Sequence, residues 1–193
     1  MTRAEYGRLY EKLYRLFDNA TPLRQDCGVL CGGACCRGDE DTGMRLFPHE
    51  ETPLRVVETE GARFAVCGGT CRREDRPLSC RIFPFFPTAD KRGRVRVIAD
   101  PRAGSVCPLA RHSEEVAFDP RFLRRVKKAG KLLARDAESL AFLKEVTREI
   151  EEVSALNDLL RREKMTDRHY LRSPLSYLRS EQFRIPNSEF RIK

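Results

Sequence analysis

The chain has no tryptophan and only three histidines. Neither Pro48-His49-Glu50-Glu51 nor any other stretch forms an HExxH zinc-protease motif. His112 follows Cys107 by five residues, but with so many cysteines at hand it reads as a surface residue. No Ser-His-Asp arrangement suggests itself. No G-x-G-x-x-G occurs, and Gly33-x4-Gly38 is followed by Asp39 where a P-loop needs lysine. Nucleotide-dependent chemistry carried by this chain alone is therefore not expected. Long apolar runs are also missing. No stretch approaches the roughly 20 apolar residues that span a bilayer. The opening Met1-Thr2-Arg3-Ala4-Glu5-Tyr6 is charged and lacks a signal-peptide core. These absences lead us to expect a cytoplasmic protein with no membrane partner.

What is present is charge and sulfur. Charged residues make up 34% of the 193 and the formal net charge is +8. A basic balance suits an acidic partner such as nucleic acid. The count ignores the cysteines, however, and eight thiolates would cancel it. Nucleic acid is therefore the weaker expectation, and a protein partner the stronger.

Tyr6, Leu9, Tyr10, Leu13, Leu16 and Phe17 recur at helical spacing over 2–18, and Thr2 and Glu5 have the spacing of a capping box. Residues 21–45 are rich in Gly, Cys and Asp without a period, and read as a loop wrapped around something. Asp39-Glu40-Asp41 within it reads as a solvated turn. Pro48 and Gly61 suit the first turn and C′ position of a short helix. Alternation predicts strands at 62–66, 78–82 and 94–97. Asp119-Pro120 predicts a helix start, with one helix over 120–135 and a second over 137–163. The stripe Leu140, Leu143, Val146, Ile150, Val153, Leu156 and Leu160 fits docking on a bundle or a partner. The tail, 164–193, carries Pro174, Pro186 and several arginines and reads as extended chain. The expected organisation is an N-terminal helix (1–20), a cysteine-cluster metal-binding domain (21–112), long helices (113–163) and a basic tail (164–193). The fold class is α+β, a small irregular Cys-rich domain with short antiparallel strands flanked by helices.

The eight cysteines are Cys27, Cys31, Cys35, Cys36, Cys67, Cys71, Cys80 and Cys107, all within 27–107. A disulfide framework needs an oxidising compartment, which nothing here addresses. Buried structural cysteines need apolar flanks, and these flanks are Gly, Arg and Asp. Metal ligation needs soft thiolates on short spacings with a permissive backbone, and the sequence has that. Cys31-Gly32-Gly33-Ala34-Cys35 and Cys67-Gly68-Gly69-Thr70-Cys71 are near copies, each soon followed by arginine. Their paired glycines make positive φ available for a tight turn. Neighbouring side chains diverge, so Cys35 and Cys36 are expected to serve different centres, or different irons of one cluster. One division is Cys31, Cys35, Cys67 and Cys71 against Cys27, Cys36, Cys80 and Cys107; one cluster with redox-active spares is the alternative. Arg24, Arg37, Arg45, Arg72, Arg73, Arg76 and Arg81 crowd the region. Guanidinium groups stabilise anionic thiolate sites, and Arg76 and Arg81 bracket Cys80.

The run Arg76-Pro77-Leu78-Ser79-Cys80-Arg81-Ile82-Phe83-Pro84, with Cys27, Cys31, Cys35-Cys36, Cys71 and Cys107, resembles the YkgJ-type cysteine-cluster family of zinc- or iron-chelating CxxCxxCC proteins. The resemblance covers about 27–110. The first spacings here, Cys-x3-Cys-x3-Cys-Cys, are longer than the usual form, and Cys67 is an addition. The resemblance implies an iron–sulfur or zinc protein, sometimes labelled an oxidoreductase, and supplies no substrate. The expected ligands are all eight cysteines. The expected role is electron transfer or redox assistance to a partner held by the C-terminal helices; the alternative is a structural zinc module that mediates protein or nucleic-acid interaction.

Overall fold

A computed structural model describes residues 1–37, 43–69 and 71–171, with side chains up to residue 162. The fold is α+β, with helices and a few short antiparallel strands. It divides into two compact units, Met1–Val153 and Ser154–Lys193.

The first unit begins with helix α1 (Arg3–Arg15). Its capping box forms as expected: the Thr2 amide donates to Glu5 at 2.6 Å and the Glu5 amide donates to the Thr2 hydroxyl at 3.3 Å. Tyr6, Tyr10, Leu13 and Phe17 face inward from this segment. Opposite them lies α5 (Pro120–Leu133), which starts at the Asp119-Pro120 cap and buries Phe122, Val126, Ala129, Leu132 and Leu133. Helix α6 (Ala137–Leu171) adds Leu143, Val146 and Ile150. Each large side chain taken fully out of water contributes roughly 1.5–3 kcal/mol, so this helical face is the main source of stability. The buried Asp136 caps α6 by accepting from the Ser139 amide at 2.9 Å.

Two small sheets complete the unit. β1 (Gly43–Arg45), β2 (Arg55–Thr59) and β3 (Ala62–Val66) lie in the order β1-β3-β2, all antiparallel. β4 (Phe85–Ala89) pairs with β5 (Val95–Ala99), Phe85 opposite Ala99 and Ala89 opposite Val95. Gly130 lets α5 settle on this second hairpin. A Cβ there would stand 2.5 Å from the Pro87 Cβ and 2.8 Å from Val95.

Four expectations need correction. Residues 48–61 form a turn and then strand β2, not a helix. Val56, Val57 and Thr59 are β-branched, and Glu60-Gly61 is a two-residue hairpin turn with φ of 52° and 75°, the double positive φ of a type I′ turn. Residues 78–82 are helix α3 (Leu78–Ile82), not a strand. Leu78 and Ile82, four apart, are both buried on one helical face. β4 is an element the sequence pattern does not signal; Pro87 lies within it, and the strand stands as one half of a two-stranded sheet. Residues 21–45 are less of a loop than expected, since they hold α2 (Cys27–Cys31), a 3₁₀ turn (Ala34–Cys36) and β1. Within 164–193, α6 continues to Leu171 because no proline or glycine interrupts it before Pro174. The expectations for Asp39-Glu40-Asp41 and for the chain beyond 171 lie outside the described residues.

In the second unit, the helical residues Leu156, Leu159 and Leu160 are exposed. No helix of the described residues is long and apolar enough to cross a membrane.

Candidate metal centre

The cysteines arrive on four separate pieces of chain. Asp26 caps the five-residue α2 by accepting from the Gly28 amide, which places Cys27 and Cys31 one turn apart. The chain then reverses through Gly32 and Gly33, with φ of 60° and 66°, into the 3₁₀ turn carrying Cys35 and Cys36. A side chain at Gly32 would stand 2.8 Å from the Arg37 guanidinium. In the second Cys-Gly-Gly-x-Cys unit, Cys67 follows directly on β3 and Gly69 takes positive φ. Cys80 projects from α3, and Cys107 stands at the start of α4 (Pro108–Arg111).

All eight thiols are free. Cys35, Cys36, Cys67, Cys71 and Cys80 line one cavity of about 110 Å³, together with Arg76, Met44, Phe83 and Val106. Cys80 feels Cys71, Cys36 and Cys67, and burial followed by those charges pushes its thiol up to about 12. Cys67 and Cys71 share a hydrogen bond, and Cys71 is raised by burial and by that bond. On the other side, Cys27 feels Cys31 and Cys107; burial and these neighbours lift it to about 11. The adjacent pair joins the groups. Cys35 feels Cys27 and Cys31 and hydrogen-bonds Cys36, which raises the Cys35 thiol. Cys36 is lowered to about 6 by that bond and by the Arg76 charge. The resulting neighbourhoods are Cys27, Cys31 and Cys107 on one side and Cys36, Cys67, Cys71 and Cys80 on the other, with Cys35 meeting both. They differ from the division the repeated units suggest, because Cys31 is drawn to Cys27 along α2 and Cys80 to Cys71 by α3.

The arginines separate by role. Arg76 is the one at the heart of the thiols. Burial opposes its charge, but Cys36 and Cys71 outweigh burial and hold it protonated. Its Nε is buried and has no hydrogen-bond acceptor among the described residues. Arg81, its partner across Cys80, turns away. It donates to the Arg76 carbonyl at 2.7 Å and the Glu74 carbonyl at 2.8 Å, and lies over the Tyr14 ring at 4.4 Å. Arg73 donates to the Asp18 and Ala20 carbonyls and lends positive charge to Cys27. Arg45 pairs with Glu145 and Glu149, and Arg72 with Glu74 and Asp75.

The sequence reading missed Glu50. It is fully buried, accepting from the Leu78 amide at 2.5 Å, the Phe47 amide at 3.0 Å and the Tyr14 hydroxyl at 2.8 Å. It thus fixes the start of α3, and with it Cys80. A lone glutamate beside Glu51 gives no sequence signal of this. His49 takes a positive φ, stacks on Tyr6 at 4.0 Å and meets Glu138 at 2.7 Å. His112 is exposed. The side chain of His169 lies outside the described residues.

The donor set suits a thiophilic metal: thiols in small groups, one with lowered pKa, beside the half-buried Arg76 guanidinium. As they stand, no three His, Cys, Asp or Glu side chains among the described residues converge closely enough to hold an ion. Comparison with protein-family models, with curated proteins and with solved structures gives no match.

Proposed function

We propose that the chain holds an iron–sulfur or zinc site through its cysteines and gives redox assistance to a protein partner. The observation that carries this reading is a set of eight free thiols from four chain segments, five of which, Cys35, Cys36, Cys67, Cys71 and Cys80, line one cavity with Arg76. With Cys35, which meets both neighbourhoods, counted in the first, the proposed ligands form two sets of four: Cys27, Cys31, Cys35 and Cys107 in one, Cys36, Cys67, Cys71 and Cys80 in the other. A bound metal would supply either one-electron chemistry or a rigid cross-link, and would draw the thiols together as it bound. Arg76 would offset the negative charge of the second set. The Arg76–Pro84 run supports membership of the YkgJ-type family, and a reducing cytoplasm suits eight thiols. The exposed Leu156, Leu159 and Leu160 suit a protein partner.

Anaerobic purification followed by counts of iron, sulfide and zinc, with the visible spectrum, tests the reading. A brown protein that bleaches reversibly with dithionite supports redox assistance. A protein with neither iron nor zinc removes the proposal. Cys27→Ser and Cys80→Ser should each lose one set and keep the other; equal loss from both sinks the two-set division.

A structural zinc module is the second reading, and one observation favours it. α2 and the 3₁₀ turn bury none of their residues, so the hydrophobic effect does little to hold them. A metal can supply that folding energy outright. Stoichiometric zinc in a colourless protein would select this reading.

A further inference from the structure

A second cavity, of about 600 Å³, adjoins the cysteine cavity and shares Gly43, Met44, Phe83 and Val106 with it. Its size is that of a small-molecule site, about 300–1,000 Å³. Phenyl groups dominate its floor: Phe64, Phe83, Phe85, Phe86 and Phe142. Its charge is unbalanced. Glu60, Asp100, Glu145 and Glu149 line it against only Arg45 and Arg102. Both guanidiniums are already engaged. Arg45 donates to Glu145 at 2.6 Å and to Glu149 at 2.8 Å, and lies 4.8 Å from the Phe142 ring centroid. Arg102 donates to Asp100 at 2.7 Å and to Glu149 at 3.2 Å. The same pairs engage Asp100, Glu145 and Glu149, and the lining keeps two carboxylates in excess of its arginines, so an anion entering here would meet net negative charge and no uncommitted arginine.

We propose that this cavity binds an organic cation, an amine with an aromatic body, and holds it against the wall shared with the thiols. The phenyl floor takes the body, as apolar burial and ring contacts favour, and the carboxylate excess selects the ammonium. Met44, Phe83 and Val106 are the separation between this ligand and the cysteine cavity. The proposal rests on the pocket's own residues and stands whichever metal, if any, the thiols take.

Met44 provides the test. Protein carrying ¹³C-methyl methionine is titrated with 2-phenylethylammonium, 2-phenylethanol and 3-phenylpropanoate, and the Met44 signal is assigned with Met44→Leu. The ammonium should move the Met44 methyl and leave Met1 in place, with affinity roughly tenfold or more above the carboxylate and the alcohol between them. Glu145→Gln with Glu149→Gln should shrink that preference, and Val106→Trp, at a half-exposed position on the shared wall, should abolish the shift. Equal binding of all three probes, tighter carboxylate binding, or an unmoved Met44 overturns the proposal. Metal counted on the same sample keeps the two readings apart, since Met44 can respond in a sample without metal and stay silent in one that has it.

Discussion

Cys36 and Glu50 show how single side chains are tuned here. Cys36 is lowered to about 6 by the Cys35 hydrogen bond and then by Arg76, while Cys27 and Cys80 are raised. In metal-free, reduced protein, iodoacetamide at about pH 7 should therefore label Cys36 before the others, since the thiolate is the nucleophile. Mass spectrometry of the peptides reads this. Arg76→Met should move the Cys36 labelling profile to higher pH, and an unchanged profile would remove Arg76 from the account. Glu50 behaves in the opposite sense to a salt-bridged carboxylate. Burial raises it above its ordinary value, against the pull of its hydrogen-bond donors. The folded state thus holds the proton more tightly, so its contribution to stability is full below about pH 4.5 and is lost as pH rises through the folded value. Glu50→Gln should flatten that descent in urea titrations run across pH. Glu50→Ala should cost more, about 1–3 kcal/mol for each buried amide left without a partner at Leu78 and Phe47.

Among the elements, α5 makes the sharpest prediction. Alanine is the better helix former, by about 0.5–1 kcal/mol over glycine, so propensity alone says Gly130→Ala stabilises. The packing says the reverse. The new methyl would meet Pro87 and Val95 inside contact distance, and overpacking of this kind costs typically about 1–3 kcal/mol. Thermal melting should show a lower Tm for Gly130→Ala; an unchanged or higher Tm would mean that α5 moves off the β4–β5 hairpin freely. Asp136 marks the other helix. Its own burial works against its charge, but the Ser139 amide and the Tyr6 hydroxyl hold its carboxyl below the usual range. Its stabilising effect is therefore present above about pH 3.8 and lost as pH falls further. Asp136→Ala should cost about 1 kcal/mol at neutral pH, the usual worth of a cap, and weaken the acid dependence.

For the chain as a whole, the hydrophobic core and the thiol groups are separate sources of order. The main packed cluster joins α1, α3, β4, α5 and α6 in the first unit; no cysteine belongs to it, and Cys107 is the one cysteine that is buried. If the thiols hold metal as proposed, its withdrawal should loosen 27–36 and 67–71 while α5 and the start of α6 stay protected. Hydrogen exchange before and after chelation checks this; loss of protection in α5 would show that the core depends on the metal. Charge belongs to this scale too. The formal +8 shrinks as thiolates form, so metal-loaded protein should bind nucleic acid only weakly and with a shallow salt dependence.

How much of this was legible in the sequence follows from the range of the forces. Helices α1, α5 and most of α6 could be read because a cap and a 3.6-residue stripe are local signals. So could the left-handed turn at Gly32-Gly33, because positive φ is written in residue type. The strand at 55–59 and the helix at 78–82 could not, since five-residue segments take their form from neighbours: β3 for the one, Glu50 and the core for the other. Nor could sequence assign the cysteines to groups. It showed two copied knuckles, whereas the tertiary structure sets Cys31 with Cys27 and Cys80 with Cys71 and Cys67. Spacing along the chain limits which thiols can meet, but the packing of α3 on the core decides which ones do.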